Sequence, residues 1–276
     1  MTPYPLIRKL CDRAPVITDG AWGTQLQARG LAPGEVPDLW NLTHPKEVAA
    51  VARAYVEAGS QIILTNTFGA NRIRLAESGS AERLKEINKA GVALSREAAG
   101  KDALVFASLG PSGKLLMNGD ITEDELLVAF TEQAEALAGG EPDGLVVETM
   151  SDLAEAKLAI AAAKATGLPV VASMVFDSGK DKDRTMMGTT PEQAAAALVK
   201  AGADAISLVC PFCSVMLDDN QKAIAQAHGL DIKIPVLYFP QVLGMAMGIS
   251  WKELGMNMNR VSVKDFVARV EEKRAC

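Results

Sequence analysis

The chain has 276 residues, 49% of them hydrophobic, and a formal net charge of −6. That length suits one barrel-sized domain of roughly 250 residues, and the apolar content excludes a disordered chain. The mild acidity, with no basic patch or stripe, argues against nucleic acid. No apolar run approaches the ~20 residues that would span a bilayer.

Residues 4–13 read as a short helix that Ala14-Pro15 ends. The same stretch mixes Arg8, Lys9, Asp12 and Arg13 with apolar side chains and lacks a signal-peptide core, so the expectation is a cytoplasmic protein. Residues 16–18 form a short strand, followed by Asp19-Gly20-Ala21-Trp22-Gly23-Thr24. Glycines close behind an Asp let backbone turn tightly and approach a ligand, although an ordinary Asp-Gly turn reads the same way. Residues 31–41 are a loop. Leu42-Thr43-His44-Pro45 then opens a helix with apolar positions at Val48, Val51, Ala52, Tyr55 and Val56. His44, before a proline, suits capping or packing better than catalysis.

Residues 61–64 are the next strand. It delivers Thr65-Asn66-Thr67-Phe68-Gly69-Ala70-Asn71, a loop crowded with small donors and acceptors. Residues 81–99 are a helix and 103–107 a third strand, ending in Ser108-Leu109-Gly110-Pro111-Ser112-Gly113. Thr122-Glu123-Asp124-Glu125 has the spacing of a capping box, for a helix to about Ala138. The fourth strand, residues 143–150, is apolar until Glu148, and a capped helix follows from Ser151-Asp152. A carboxylate at a buried strand's tip is costly unless paired or used. A salt bridge would satisfy it; a site at the end of the sheet is the reading preferred here.

Residues 169–176 are the fifth strand, 177–184 a charged loop expected to be mobile, and 192–200 a helix. Residues 203–209 are the sixth strand, with Cys210 at its tip. A helix near 216–227, a seventh strand at 235–239, a short strand near 260–263 and a helix from Asp265 complete the chain. Of four cysteines (Cys11, Cys210, Cys213 and Cys276), only Cys210-Pro211-Phe212-Cys213 has the spacing of a chelating loop or redox dithiol. Two thiols that merely pack are the alternative.

Strands alternating with helices predict a parallel sheet. Polar loops after nearly every strand favour a (βα)8 TIM-type barrel, with an irregular or incomplete last unit, over a doubly wound sheet. An incomplete wall would invite homo-oligomer formation.

Asp19 to Thr24, Trp40 to Thr43, Thr65 to Asn71, Ser108 to Pro111, Glu148 to Leu153, Met187 to Pro191 and Gly202 to Ile206 together resemble the homocysteine S-methyltransferase family. The match is collinear over about residues 15–210. It implies a barrel enzyme that moves a methyl group to the thiolate of a zinc-bound homocysteine, since the thiolate is the nucleophile and a metal lowers the thiol pKa. By this resemblance Asp19 and Glu148 anchor the substrate ammonium or nearby backbone. Gly20, Gly23, Thr24, Asn66 and Thr67 shape the pocket floor, and Cys210 is the first zinc ligand, with Cys213 beside it. The donor is a methyl-corrinoid protein (cobalamin entering through that partner), a methylated thioether or a betaine. The adjacent Cys-Cys pair that supplies the family's other two ligands is absent from this chain.

From about Cys210 to residue 265 the chain is similar to the C-terminal end of a heterodisulfide reductase component, the one that binds iron–sulfur clusters through repeated cysteine motifs. The matching pieces are Cys210 to Cys213, Met216 to Gln221, Ile234 to Tyr238, Gln241 to Gly248, Lys252 to Gly255 and Asn259 to Ser262. The expected division is therefore 1–209, a methyltransferase-like portion, and 210–276, a tail packed on or completing the barrel. Two thiolates do not meet the four-Cys demand of an iron–sulfur cluster. The alternative functions are a thiol or iron–sulfur redox partner, and a catalytically silent barrel.

Overall fold

The computed structural model describes residues 5–11, 16–180, 183–206, 250–252 and 264. The chain divides into two compact units. One is Met1–Met174 with Ala195–Ser207; the other is Val175–Ala194 with Leu208–Cys276.

In the first unit, helix α1 (Pro5–Cys11) precedes an extended stretch at Val16 to Thr18, and α2 (Trp22–Gln27) follows. A 3-10 turn (Pro37–Leu39) leads into α3 (Trp40–Thr43) and α4 (Pro45–Glu57). Then come β1 (Ile62–Ile63), α5 (Arg72–Glu77), α6 (Leu84–Ala99), β2 (Leu104–Leu109), α7 (Glu123–Ala138), β3 (Gly144–Met150), α8 (Leu153–Ala165) and β4 (Val170–Met174). Helix α9 (Pro191–Ala201), which belongs to the first unit from Ala195 on, and β5 (Ala205–Ile206) close the series.

All five strands are parallel, in the spatial order β1-β2-β3-β4-β5. A parallel bridge from Thr18 to Ile62 adds the extended stretch beside β1. A doubly wound sheet reverses direction at a switch point and places helices on both faces. Here each strand adds beside its predecessor, while α4 packs on α6, α6 on α7 and α7 on α8. One-directional winding with the helices side by side is the barrel pattern. The expected seventh and eighth strands lie outside the described residues.

Strand alternation explains the two layers of core. Ile62, Phe106 and Val146 face one way with Leu64, Leu104 and Val171, and α1 sets Ile7 against them. Ile63 and Val105 face the other way, against Ala52 of α4 and Ala99 of α6. A parallel sheet covered on both faces needs such continuous apolar strands. The capping box expected at Thr122 forms: its hydroxyl accepts from Glu125 N at 3.2 Å, and Glu125 accepts from Thr122 N at 2.9 Å.

The structure adds helices where the sequence pattern predicts loops or nothing. Helix α2 follows the Asp-Gly turn, α3 closes the stretch 31–41, and α5 follows the Thr65 to Asn71 loop. All three are short, four to six residues, below the length at which an amphipathic period is visible. In the second unit, the charged stretch 177–184 is tied by an antiparallel bridge, with Ser178 N donating to Arg184 O at 3.0 Å. Among the described residues no helix is long and apolar enough to cross a membrane.

Candidate active site

Because the strands are parallel, their C-terminal ends share one edge. Asp19 follows the first of them. Its Oδ2 accepts from Leu64 N at 2.7 Å and from the Trp22 indole Nε1 at 2.7 Å. The first bond ties the turn to the end of β1; the second comes from the first residue of α2. These bonds favour the charged carboxylate, but burial outweighs them and lifts its pKa from 3.8 to about 6. The Tyr55 hydroxyl donates to Ala21 O at 2.9 Å, bracing the same turn from α4.

Glu148 stands near the end of β3. Its Oε1 accepts a hydrogen bond from the Ser108 hydroxyl on β2. Burial raises the Glu148 pKa, the Ser108 bond opposes that, and the nearby negative charge of Asp19 raises it further. The Asp19 charge is the smallest of these three influences.

The backbone beside Glu148 is irregular. Val147 pairs with Ala172 and Met150 with Met174, so β3 holds one residue more than β4 across this interval. The bulge places Thr149 at φ 61°, in the left-handed region, which is costly for a β-branched residue. The Thr149 N–H donates to the Ser173 hydroxyl on β4 at 3.2 Å. A bulge interrupts the inward–outward alternation and re-aims the neighbouring side chain; here that side chain is Glu148.

The loop after β1 is held from several directions. Asn66 donates to Pro37 O at 2.7 Å and to Asn41 Oδ1 at 2.9 Å, and Asn41 donates back to Asn66 O at 2.7 Å. Thr67 donates to Ser108 O at 2.8 Å, and the Gly69 N–H donates to buried Asp38 at 2.9 Å. Burial lifts Asp38 to about 6. The loop after β2 joins this frame where Gly110 N donates to Phe68 O at 3.0 Å. A Cβ at Gly110 would fall 2.6 Å from that same oxygen, so only glycine fits there.

The residues singled out in the sequence fall into three groups. Asp19 and Glu148 each stand at the C-terminal end of a strand, on the same edge of the parallel sheet. Asn66 and Thr67 are buried, with their side-chain bonds directed inward, while Gly20, Gly23 and Thr24 are exposed at the turn and the start of α2. Cys210 and Cys213 lie outside the described residues. His44 packs: its ring stacks on Trp40 with centroids 4.2 Å apart. Ser108 and Ser173 are site residues that the sequence pattern does not single out. Each is a polar residue near the end of an otherwise apolar strand, the same signal that Glu148 gives. Among the described residues, no group of three or more His, Cys, Asp or Glu could hold a metal ion.

The family model for homocysteine S-methyltransferase matches residues 16–269. The chain belongs to the homocysteine S-methyltransferase family. The match to this family continues through the segment 210–265. Among relatives, betaine–homocysteine S-methyltransferase 1 of Sus scrofa is 32% identical over 82% of this chain and 82% of its own length. Methionine synthase of Mycobacterium tuberculosis is 28% identical over 82% of this chain, which spans only 20% of that longer enzyme. The homocysteine methyltransferase MmuM of Escherichia coli, in its metallated form, shares the fold with a TM-score of 0.64 at 22% identity, over 77% of this chain and 83% of its own.

Proposed function

We propose that this member of the homocysteine S-methyltransferase family binds homocysteine at the strand tips and accepts a methyl group on its sulfur. The observation that carries the reading is the pair Asp19 and Glu148. Both are half-buried, both have pKa values raised by burial, and the charge of Asp19 raises that of Glu148 further. Like charges at one partly desolvated edge are stabilised by a cation that both can reach. The substrate ammonium is that cation. Once seated, it fixes the rest of the amino acid relative to the rim, so that the thiol meets its donor at high effective concentration. Ser108 and Ser173 hold the Glu148 segment in place, and Trp22 and Leu64 hold Asp19.

The resemblance implies zinc on the thiol, which when bound would supply a lowered thiol pKa. Cys210 and Cys213 would be its ligands, but without a Cys-Cys pair they fall short of the set the resemblance calls for, and the described carboxylates do not replace it. The steps assigned here are therefore only those of the chain's own described residues: binding, orientation and exclusion of water. Betaine and S-methylmethionine, named for two relatives, are the first donors to try. A methyl-corrinoid protein is the third.

Glu148→Gln tests the reading. It keeps an acceptor for Ser108 and removes only the charge. We expect homocysteine affinity, measured by titration calorimetry, to fall about tenfold to a hundredfold. Absence of homocysteine binding by the wild-type chain, with no methyl transfer from any of the three donors, would overturn the proposal.

A further inference from the structure

Helix α8 begins with a cap whose parts are used in an unusual way. Asp152 is the N-cap, and its side chain accepts from Ala154 N at 2.7 Å. Glu155 stands three residues on, at the spacing where a capping box would have it turn back to the Asp152 N–H. It does not turn back. Its Oε1 reaches out of the helix and accepts from the Ser112 N–H at 2.7 Å. Glu155 and Ser112 are both almost fully buried, at 3% and 0% exposure. The Ser112 hydroxyl in turn accepts from Lys114 N at 3.1 Å.

A buried carboxylate is expensive to keep, and a helix start already capped by Asp152 has no need of it. What the group does hold is the loop after β2. That loop starts from Ser108, which donates to Glu148, and passes through Gly110, which is bonded to the loop after β1. The segment from Glu148 to Glu155 thus grips the segment from Ser108 to Ser112 at both ends: Glu148 on the Ser108 hydroxyl, Glu155 on the Ser112 amide. We infer that Glu155 is a positioning residue for the substrate site, fixing the β2 loop so that Ser108 orients the Glu148 carboxylate. The inference rests on the reading of Glu148 as a substrate anchor.

The test compares Glu155→Ala with Glu155→Gln in the full chain. Gln retains an oxygen that can accept the Ser112 N–H; Ala does not. Homocysteine affinity is measured by calorimetry, and amide hydrogen exchange is followed across residues 108–117. Wild-type protein should bind homocysteine and protect the Ser112 amide. Glu155→Ala should lose about tenfold in affinity and all protection at Ser112, while Glu155→Gln should stay within about twofold of wild type. Equal affinity in Glu155→Ala and wild type overturns the inference, as does an equal loss in both variants. If Glu155→Ala does not fold, Glu155→Gln and wild type decide: a tenfold loss in Glu155→Gln, or free exchange of the wild-type Ser112 amide, overturns it. Failure of the wild-type chain to bind homocysteine would sink the proposed function instead, so the two outcomes are separate.

Discussion

Asp19 ties the site to pH. Its carboxyl holds a proton up to about pH 6, and only the ionised form attracts an ammonium. Homocysteine affinity should therefore fall as the pH is lowered through about 6, and Asp19→Asn should bind weakly at every pH; calorimetry between pH 5 and pH 8 checks both. Thr149 is the second informative residue. A β-branched side chain at φ 61° is strained, by an amount on the order of 1–3 kcal/mol, and glycine removes the strain at some entropic cost to folding. Thr149→Gly should stabilise the chain by up to about 1 kcal/mol in urea unfolding, and should weaken homocysteine binding if the strained bulge is what keeps Glu148 aimed. The positions of Asp19 and Glu148 at strand ends could be read from residue type and the apolar runs before them. The bulge could not, because nothing in Glu148-Thr149-Met150 distinguishes an inserted residue from regular strand; the register appears only against β4.

At the scale of elements, the helices do more than cover the sheet. Helix α6 crosses so close to the rim frame that a Cβ at Gly91 would lie 2.6 Å from Thr67 Cγ2 and 2.7 Å from Asn41 Nδ2. Gly91→Ala, ordinarily favourable in a helix, should here destabilise by about 1–3 kcal/mol and disturb the Asn41–Asn66 pair, to be seen in a lowered melting temperature. The long helices and apolar strands of this chain were legible because their periods repeat often enough to be counted. Helices α2, α3 and α5 were not, and neither was the use of Asp38 and Asn41. Those two side chains bond across 31 and 25 residues of sequence, to Gly69 and Asn66, and no local pattern encodes a partner that far away.

At the scale of the molecule, burial of carboxyl groups gives stability a direction with pH. Asp38 and Asp19 each take up a proton in the folded chain near pH 6 but in the unfolded chain only near 3.8. The stabilisation due to those protons is complete below the lower value and is lost as pH rises through the upper one. For Asp38 the shift corresponds to about 3 kcal/mol. Urea unfolding should show stability declining from pH 4 to pH 7, and Asp38→Asn should flatten part of that slope. The barrel class was also legible at this scale, from the polar loops after successive strands, and the one-directional strand order decides it against the doubly wound alternative.

That strand order has a consequence for how the chain is made. Every described strand pairs with the one synthesised just before it, as Ile62 with Leu104 and Leu145 with Val170, so the sheet can be built in the order of synthesis, although parallel pairing across a helix is slower than closing a hairpin. Both carboxylates of the candidate site, and the serines and backbone amides that hold them, belong to the stretch ending at Met174. A ribosome translating this protein would thus have exposed every described part of the candidate site before Cys210 leaves the exit tunnel.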